Sequence, residues 1–263
     1  MNFSVCVLSS GSKGNCTYIT DGTTKILLDA GICCRDIESG LNDIGENIAS
    51  LDGILITHEH CDHIRGLKTL TKKSDIPVYS NYKTLNAIDY AMATSTKRYA
   101  REDFDSGFYI KSIFVQPFRI SHDAVYPVGY TLNRGSSKIT SVTDLGIVSP
   151  NILANAKGSD IVILESNHDE EMLKRGKYPE MLKRRIEGKL GHLSNNTAAQ
   201  FARDLVQSGT KQLILAHLSE ENNLPALALE AVCSSIVSLG AVIDKDVTVE
   251  IAYQRSRTAL HNC

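Results

Sequence analysis

The chain of 263 residues is long enough to form one large domain or two small ones around a sizeable core. Its 42% hydrophobic and 22% charged content are ordinary for a soluble globular protein, and a formal net charge of -2 excludes a global basic field for nucleic acid or a membrane. Any nucleic-acid substrate would therefore need a local basic patch.

The cysteines and the N-terminus both favour an intracellular protein. The seven cysteines are odd in number and show no CxxC spacing, so they do not form a disulfide framework. The N-terminus lacks a basic region followed by a long apolar segment, which predicts no secretory signal. No run approaches the roughly 18 apolar residues that a membrane span needs. We therefore expect a cytoplasmic protein without a membrane partner; its oligomeric state is not indicated.

The first half of the chain predicts strands with short helices between them. Apolar runs predict the strands, and the dipeptide Asp21-Gly22 predicts the turn that joins the second and third strands as a hairpin. The predicted strands are 3–10, 16–20, 24–31, 51–57 and 76–80. The predicted helices are 36–44, 64–73 and 82–93.

The second half repeats this mixture, and a polar tail after Gln254 predicts a loosely held terminus. The predicted strands are 110–121, 128–135, 137–144, 160–166, 211–217 and 246–253. The predicted helices are 170–175, 179–187, 194–209 and 225–240. Hairpins and strand–helix units in two halves predict an α/β fold, in which two sheets pack face to face with helices outside.

A cluster of metal-capable side chains follows the strand predicted at 51–57. His58, His60, Asp62 and His63 lie within six residues, and they include three of the eight histidines. Imidazole and carboxylate groups are ligands for zinc and similar divalent ions. A cluster this dense predicts two ions that share ligands supplied from elsewhere in the chain. The alternative is a solvated loop with incidental histidines.

Three further metal-capable residues each follow a predicted strand. They are His122, Asp144 and His217. Alone, each would more often be a hydrogen-bonded structural residue than a ligand. Because strand ends meet along one sheet edge, where loops on a rigid scaffold carry function, we expect them to join the cluster.

Several motifs resemble one known family. The segment THEHCDH matches the HxHxDH signature of the metallo-β-lactamase superfamily, and segments between about Leu8 and Asn223 resemble its YycJ branch, also called WalJ or VicX. These segments include LSSGSKGN, LLDAG, SHDAVYPVGY, ESNHDEEML, GHLSNN and HLSEENN. HxHxDH specifies only the superfamily, whereas the last three segments in this order are far more specific.

The resemblance implies a four-layer αββα sandwich, one domain over residues 1–263, with the site along one edge of the paired sheets. It also implies 5′-to-3′ DNA exonuclease activity, a role in DNA repair, and two divalent ions, zinc or manganese, with iron as a further option. By position, one ion would be bound by His58, His60 and His122, the other by Asp62, His63 and His217, and both by Asp144.

Phosphodiester hydrolysis at such a site needs both a nucleophile and a proton for the leaving oxygen. Two adjacent ions would turn a shared water into a bridging hydroxide near neutral pH, and Asp62 would hold one ion and orient that water. His192 is our candidate for protonating the leaving 3′ oxygen, and His168 is a rival. Glu165 could hydrogen-bond a histidine and fix its tautomer, or be only a solvated strand end.

Substrate contacts are predicted at two turns and one basic stretch. The predicted helix start at Ser194 and Asn195 could cradle a phosphate oxygen, and Asn15 in the glycine-rich N-terminal turn could offer a hydrogen bond. Without a substrate contact, Ser194 would be only a helix N-cap, and the glycines around Asn15 would only form a tight turn.

The segment 171–189 is the most basic stretch of the chain. Lys183 and Arg184 lie in it and could steer a nucleic-acid backbone, DNA more than RNA, while Tyr178 could stack on a base. A solvated helix face explains the charges equally well.

Other functions remain open from sequence alone. The alternative within the superfamily is a small-molecule hydrolase that acts on a thioester, a lactone or a β-lactam. An oxygen-reducing di-iron protein is disfavoured, because that branch usually has a carboxylate where this chain has His60. A regulatory protein without catalytic activity is disfavoured, because such a protein would usually lack some of the metal-binding residues, whereas this chain has all of them.

Overall fold

Two seven-stranded sheets form the frame of the protein in the computed structural model, which describes residues 3–92, 98–100 and 104–263. The strands of the first sheet are β1 (Ser4–Ser9), β2 (Cys16–Thr20), β3 (Lys25–Leu28), β4 (Gly53–Leu55), β5 (Val78–Ser80), β6 (Arg98–Ala100) and β14 (His261–Asn262). The strands of the second sheet are β7 (Phe108–Ile110), β8 (Ile113–Arg119), β9 (Val128–Arg134), β10 (Ser137–Val142), β11 (Ile161–Glu165), β12 (Gln212–Ala216) and β13 (Thr248–Ile251).

Each sheet combines an antiparallel part with a parallel part. The first sheet has the order β14-β1-β2-β3-β4-β5-β6, and its pairs from β3 onward are parallel. The second sheet has the order β13-β12-β11-β10-β9-β8-β7, with parallel pairs from β10 to β13. In the parallel part of each sheet the carboxyl ends of neighbouring strands share one edge, which is where loops can bring distant residues together.

Helices cover the outer face of each sheet. The helices are α1 (Cys34–Asn42), α2 (Cys61–Ile64), α3 (Leu67–Lys73), α4 (Tyr82–Met92), α5 (Pro150–Ala156), α6 (Glu170–Arg175), α7 (Glu180–Glu187), α8 (Asn195–Gln207) and α9 (Pro225–Val237). Buried residues of α1, α3 and α4 pack on the first sheet, and those of α5, α8 and α9 pack on the second. None of these helices, in the part of the chain that is described, combines the length and apolarity needed to cross a membrane.

A single apolar core lies between the inner faces of the two sheets. Ile26 and Leu55 from the first sheet belong to the same buried cluster as Val115, Ile139 and Ile214 from the second. Together with the helical layers, this core confirms the predicted αββα sandwich. The hairpin of β2 and β3 is also confirmed.

Some elements differ from the sequence predictions. Helix α5 was not predicted, because its seven residues show too short an apolar repeat. Strand β7 was not predicted as a separate strand, because three residues are too few to show an alternating pattern. The strand predicted at 110–121 includes its last residue, Ile110, and the whole of β8. The helix predicted at 82–93 is confirmed to Met92 as α4, and Ala93 lies outside the described residues.

The C-terminal tail is held firmly, so the prediction of a loose terminus was wrong. Strand β14 pairs antiparallel with β1, and the buried Thr258 accepts a hydrogen bond from the Val7 N–H at 3.0 Å. Gln254 donates to the Ser9 hydroxyl and to the Gly14 carbonyl. Polar side chains that find partners on an open sheet edge order this tail, which composition alone could not indicate.

A buried carboxylate connects the two sheets at the turn between β2 and β3. Asp21 accepts hydrogen bonds from the backbone of Thr23 and Thr24 on its own turn, and from Ser112 Oγ and Arg134 Nε of the other sheet. Burial alone would raise the pKa of Asp21, but these hydrogen bonds hold the pKa below its usual range. The charged form is therefore the one that stabilises the fold.

We expect Asp21→Asn to lower the free energy of unfolding by about 3 kcal/mol at pH 7, because it leaves Arg134 without its buried partner. The contribution is present above the unfolded pKa near 3.9 and is lost as the pH falls through the lower folded pKa. Urea unfolding at pH 7 and pH 3 measures this, with the exposed Asp36→Asn as control. An equal loss of stability at both pH values would contradict the assignment.

Candidate metal centre

Seven metal-capable side chains meet at one edge of the sandwich. His58, His60, Asp62 and His63 leave β4, and the turn after each of three other strands adds one residue. These three residues are His122 after β8, Asp144 after β10 and His217 after β12. The sequence prediction that these residues converge is confirmed by the ring and atom distances that follow.

The donor atoms form overlapping groups that could each hold an ion. The possible ligand atoms within a group lie within 4.8 Å of one another. The groups are His58, His60 and His122; Asp62, His63 and His217; His58, His63 and Asp144; and Asp144, Glu165, His192 and His217. Asp144 lies between the sets, since Oδ1 is 3.4 Å from His217 Nε2 and Oδ2 is 3.4 Å from His63 Nε2.

In three of the histidine rings the hydrogen bonds leave one nitrogen free for a ligand. His58, His122 and His217 contact protein partners through Nδ1: Thr57 Oγ1 at 3.0 Å, the Gly191 carbonyl at 3.3 Å and Glu165 Oε1 at 3.2 Å, respectively. Their Nε2 atoms therefore face inward. A ring held through Nδ1 with Nε2 toward the pocket is the usual arrangement of a metal-binding histidine.

Orphaned polar atoms support a cation here. His58 Nε2, His217 Nε2 and Asp144 Oδ2 are buried, and none has a hydrogen-bond partner among the described residues. Leaving such atoms unpaired is costly, and each is a good donor for zinc, manganese or iron. The residues present thus fit a divalent metal.

At two of the converging residues the local electrostatics favour the protonation state that binds metal. Burial, together with the neighbouring imidazoles, lowers the pKa of His58 well below its usual value and keeps the ring neutral. Burial alone would raise the pKa of Asp144, but His217, His63 and His122 hold it below its usual value. A neutral imidazole beside an ionised carboxylate is the ligand pair that a divalent ion needs.

The backbone at the site adopts an unusual conformation. Asp29, Asp144 and His217 have φ values of +60°, +60° and +55°, in the left-handed region that non-glycine residues rarely occupy. Such strain persists only where the surrounding structure holds it, and it is common at functional sites. Here it turns Asp144 and His217 sharply off their strand ends toward the pocket.

Close backbone packing holds the loop that carries Asp62. The Asp62 carbonyl accepts a hydrogen bond from the Asn15 N–H at 2.8 Å, and the Gly31 N–H donates to the Asn15 carbonyl at 2.8 Å. A Cβ atom on Gly31 would lie 1.6 Å from the Asp62 carbonyl oxygen. Only glycine lets these segments approach, which gives the LLDAG motif a physical reason.

A family model described as a β-lactamase superfamily domain matches residues 24–218, which include all seven converging residues. The chain belongs to the metallo-β-lactamase superfamily. Exodeoxyribonuclease YycJ of Bacillus anthracis is 38% identical over 242 residues, covering 91% of this chain and 91% of that protein. Exodeoxyribonuclease WalJ of Streptococcus pneumoniae is 36% identical over 232 residues, covering 87% and 86%. These matches confirm the YycJ-like branch.

The fold of this superfamily is also found in a solved structure of similar extent. The metallo-β-lactamase fold protein YhfI from Bacillus subtilis superposes with a TM-score of 0.74 at 16% identity, covering 98% of this chain and 99% of that one. The fold family and the donor cluster together indicate divalent-metal binding.

A carboxylate outside the seven converging residues orients one of them. Asp29 Oδ2 lies 2.8 Å from His63 Nδ1, and Asp29 also accepts hydrogen bonds from the backbone and hydroxyl of Thr57. Burial alone would lower the pKa of His63, but Asp29 and Asp144 raise it to about 9. The sequence analysis did not select Asp29, although it lies in the LLDAG segment that resembles the family.

We expect Asp29→Asn to weaken metal binding about 10- to 100-fold, because the amide cannot accept the His63 Nδ1–H bond as a charged carboxylate does. Asparagine tolerates positive φ, so the turn survives. Titration of metal-stripped protein against a chelating dye measures the affinity, with Asp36→Asn as control. Unchanged affinity would show that Asp29 serves folding alone.

Glu165 and His192 form a second arrangement beside the ligands. Glu165 is fully buried and accepts from His192 Nδ1 at 2.8 Å and His217 Nδ1 at 3.2 Å, and from the N–H groups of Leu145 and Leu193. Four contacts occupy its oxygens, so it positions both rings rather than binding a ligand. His192 lines the metal pocket and stacks on His217, with centroids 5.2 Å apart.

Other predicted residues lie outside the metal pocket. His168 is buried and lines a neighbouring cavity behind His192. The Ser194 hydroxyl donates to Glu170, and the Asn195 N–H donates to the His168 carbonyl while its side chain bonds to Ser166. The Ser194 hydroxyl and the Asn195 groups are engaged within the protein, so the structure does not bring them to a phosphate in the pocket.

Asn15 lies beside the converging residues. It is 8% exposed, its side-chain oxygen accepts the Gly11 N–H, and its amide lies 3.4 Å from Asp62 Oδ2 and 3.2 Å from His63 Nε2. It therefore contacts two of the converging residues, and its proposed hydrogen bond to the substrate stays a prediction. Hydrogen bonds to those residues were not visible in the sequence.

The basic segment reaches the pocket through a residue that we had not selected. Lys183 is buried, and its Nζ donates to the Lys174 carbonyl at 2.7 Å. Arg184 is exposed and does not line the pocket, whereas Arg185, Tyr178 and two apolar residues of α7 do. Arg185 Nε donates to Asp123 Oδ2 at 2.6 Å. The rotation of the helix about its axis decides which basic side chain faces the site, and the number of charges in the segment does not reveal it.

Proposed function

We propose that this chain is a metal-dependent exonuclease that removes nucleotides from the 5′ end of DNA and acts in DNA repair. Residues 1–263 would form a single catalytic domain. One observation carries the proposal: seven metal-capable residues converge in a chain that is 38% identical to an exodeoxyribonuclease over 91% of both proteins. The family model spans most of the chain, which supports one catalytic domain.

The proposed cofactor is a pair of divalent ions, zinc or manganese, with iron as a further option. One would be held by His58, His60 and His122, the other by Asp62, His63 and His217, and both by Asp144. Bound divalent ions would lower the pKa of a nearby water and neutralise negative charge on a phosphate.

The protein side chains would then handle the proton and the leaving group. Water adds to phosphorus, and the bond from phosphorus to the 3′ oxygen of the terminal nucleotide breaks. The leaving oxygen takes a proton from His192 Nε2, which faces the pocket because Nδ1 is held by Glu165. Glu165 thereby acts as a positioning residue for His192.

The pocket dimensions and walls support a phosphate substrate. Its volume is about 230 Å³, which admits a phosphate group and leaves the rest of a polymer outside. Arg185 stands on the wall, half-exposed, with its guanidinium paired to Asp123 through one nitrogen. Its remaining N–H groups would bind a phosphate oxygen.

The test uses metal-stripped protein with manganese or zinc restored, and DNA and RNA that carry a label at either end. Stepwise shortening from the 5′ end of DNA, abolished in Asp62→Asn and retained in Asp36→Asn, is expected. Inert polynucleotides together with rapid turnover of a thioester or a lactone would replace this proposal with a small-molecule hydrolase.

A further inference from the structure

An apolar groove lies beside the metal pocket and has no part in the proposed chemistry. Its volume is about 490 Å³. Its apolar lining consists of Leu218, Leu224, Pro225, Ile251, Ala252 and Tyr253. Leu224 is 52% exposed and Tyr253 is 50% exposed, which is unusual for large apolar side chains that share one concavity.

The groove and the metal pocket share a wall residue. Ser219 lines both cavities, and Leu218 directly follows the candidate ligand His217. Ser10, on the groove wall, accepts the His217 N–H through its hydroxyl at 2.8 Å and donates its own N–H to the Tyr253 carbonyl at 3.1 Å. A polymer whose phosphate occupies the metal pocket would therefore have its neighbouring residue at this groove.

The charges at the far end suit a nucleic-acid backbone. Arg255 lines the groove and also the next cavity along the tail, and its side chain is exposed. Its guanidinium has no ion pair or hydrogen bond within the described part of the chain. Glu220, the acidic residue of the groove, is paired with Lys13. The groove thus combines an apolar surface, one aromatic ring and a cation, Arg255, that is unpaired among the described residues.

The groove walls are fixed before any ligand arrives. Gln254 donates to Ser9 and Gly14, and its side-chain oxygen accepts the Lys13 N–H. The neighbouring Thr258 anchors the tail to β1. A preformed apolar surface with an aromatic ring costs little ordering entropy on binding.

We propose that this groove is a nucleobase subsite for single-stranded DNA: a base beside the scissile phosphate stacks on Tyr253 against Leu224, and Arg255 binds the next phosphate. The inference rests on the proposed nuclease function and extends it to strand preference, since a base paired in a duplex cannot enter. Stacking of this type tolerates every base, because each has a flat apolar face.

The test compares binding affinities for each combination of a protein variant and a substrate variant, as in a double-mutant cycle. A 5′-phosphorylated single-stranded dodecamer with nuclease-resistant phosphorothioate linkages, labelled at its 3′ end, is bound to the metal-loaded protein, with an abasic site placed in turn at each of the first five positions. One abasic position is expected to weaken binding about tenfold in the wild type and less than about twofold in Tyr253→Ala. Tyr253→Phe should behave as wild type, as should Tyr90→Ala, an exposed tyrosine on α4.

Arg255 is tested by salt dependence. Arg255→Ala should reduce the slope of log affinity against log salt by about one, whereas the exposed Arg35→Ala should leave the slope unchanged.

Three outcomes separate the inference from the proposed function. Equal abasic penalties in wild type and Tyr253→Ala overturn the subsite, even if the metal-loaded enzyme degrades DNA. A penalty that depends on Tyr253, in a protein that does not cut DNA with metal restored, retains the subsite and removes the nuclease activity. A wild-type protein that does not bind the dodecamer also overturns the subsite.

Discussion

Asp144→Asn is expected to lower DNA hydrolysis by about a thousandfold or more and to remove metal from the purified protein. Asp144 lies within 3.4 Å of His63 Nε2 and His217 Nε2, and its Oδ1 is 3.9 Å from His122 Nε2. Among the converging residues it is therefore placed to serve both halves of the site. The amide removes one charge and replaces an oxygen donor by an NH2 group that cannot coordinate.

The substitution is chosen so that the fold survives. Asparagine has the volume of aspartate and tolerates the φ of +60° at this position, whereas alanine would add backbone strain. Metal content by elemental analysis, thermal unfolding and the rate on 5′-labelled DNA are measured together. Asp204→Asn, an exposed change on α8, is the control. Wild-type metal content in Asp144→Asn, with wild-type activity, would remove Asp144 from the site.

The convergence of the metal-capable residues could be predicted from sequence because their positions follow a simple rule. Imidazoles and carboxylates that directly follow apolar strands meet where those strands end, so His122, Asp144 and His217 could be joined to the THEHCDH cluster without coordinates. The positive φ that turns Asp144 and His217 inward could not be predicted from the sequence, because neither residue type indicates that backbone conformation.

Substrate residues were harder to predict than ligands, because polar side chains can be satisfied within the protein. The hydrogen bonds of Asn15, Ser194 and Asn195 point inward. Lys183 is buried against a carbonyl, whereas Arg185, two positions along the same helix, faces the pocket. A charge pattern identifies a basic helix but does not give its rotation, which tertiary packing sets.

The same reasoning explains why the tail was misjudged. Its polar composition resembles a frayed terminus, yet Thr258 and Gln254 each find partners on β1 or the following loop. Sequence reveals which groups can form hydrogen bonds but not whether an open sheet edge lies within reach. Tyr253 and Arg255 of this tail line the groove that shares Ser219 with the metal pocket, where their function can be tested.

His192→Gln is expected to lower kcat on DNA by about 100- to 10,000-fold while metal content stays at the wild-type level. The ring is held by Glu165 at Nδ1, so the opposite nitrogen faces the pocket, and it is 17% exposed. A residue that protonates the leaving oxygen acts in the transition state, so KM should change little. Glutamine can still contact Glu165 but cannot transfer a proton.

The leaving group separates proton transfer from a structural role. The p-nitrophenyl ester of thymidine 5′-phosphate releases p-nitrophenolate, which needs no proton, so His192→Gln should lose far less activity on this ester than on DNA. His168→Asn is the matched comparison, because that ring lies in the neighbouring cavity, and we expect only a small change. Equal losses on both substrates would show that His192 supports the pocket without donating the proton, and a larger loss in His168→Asn would transfer the role to that residue.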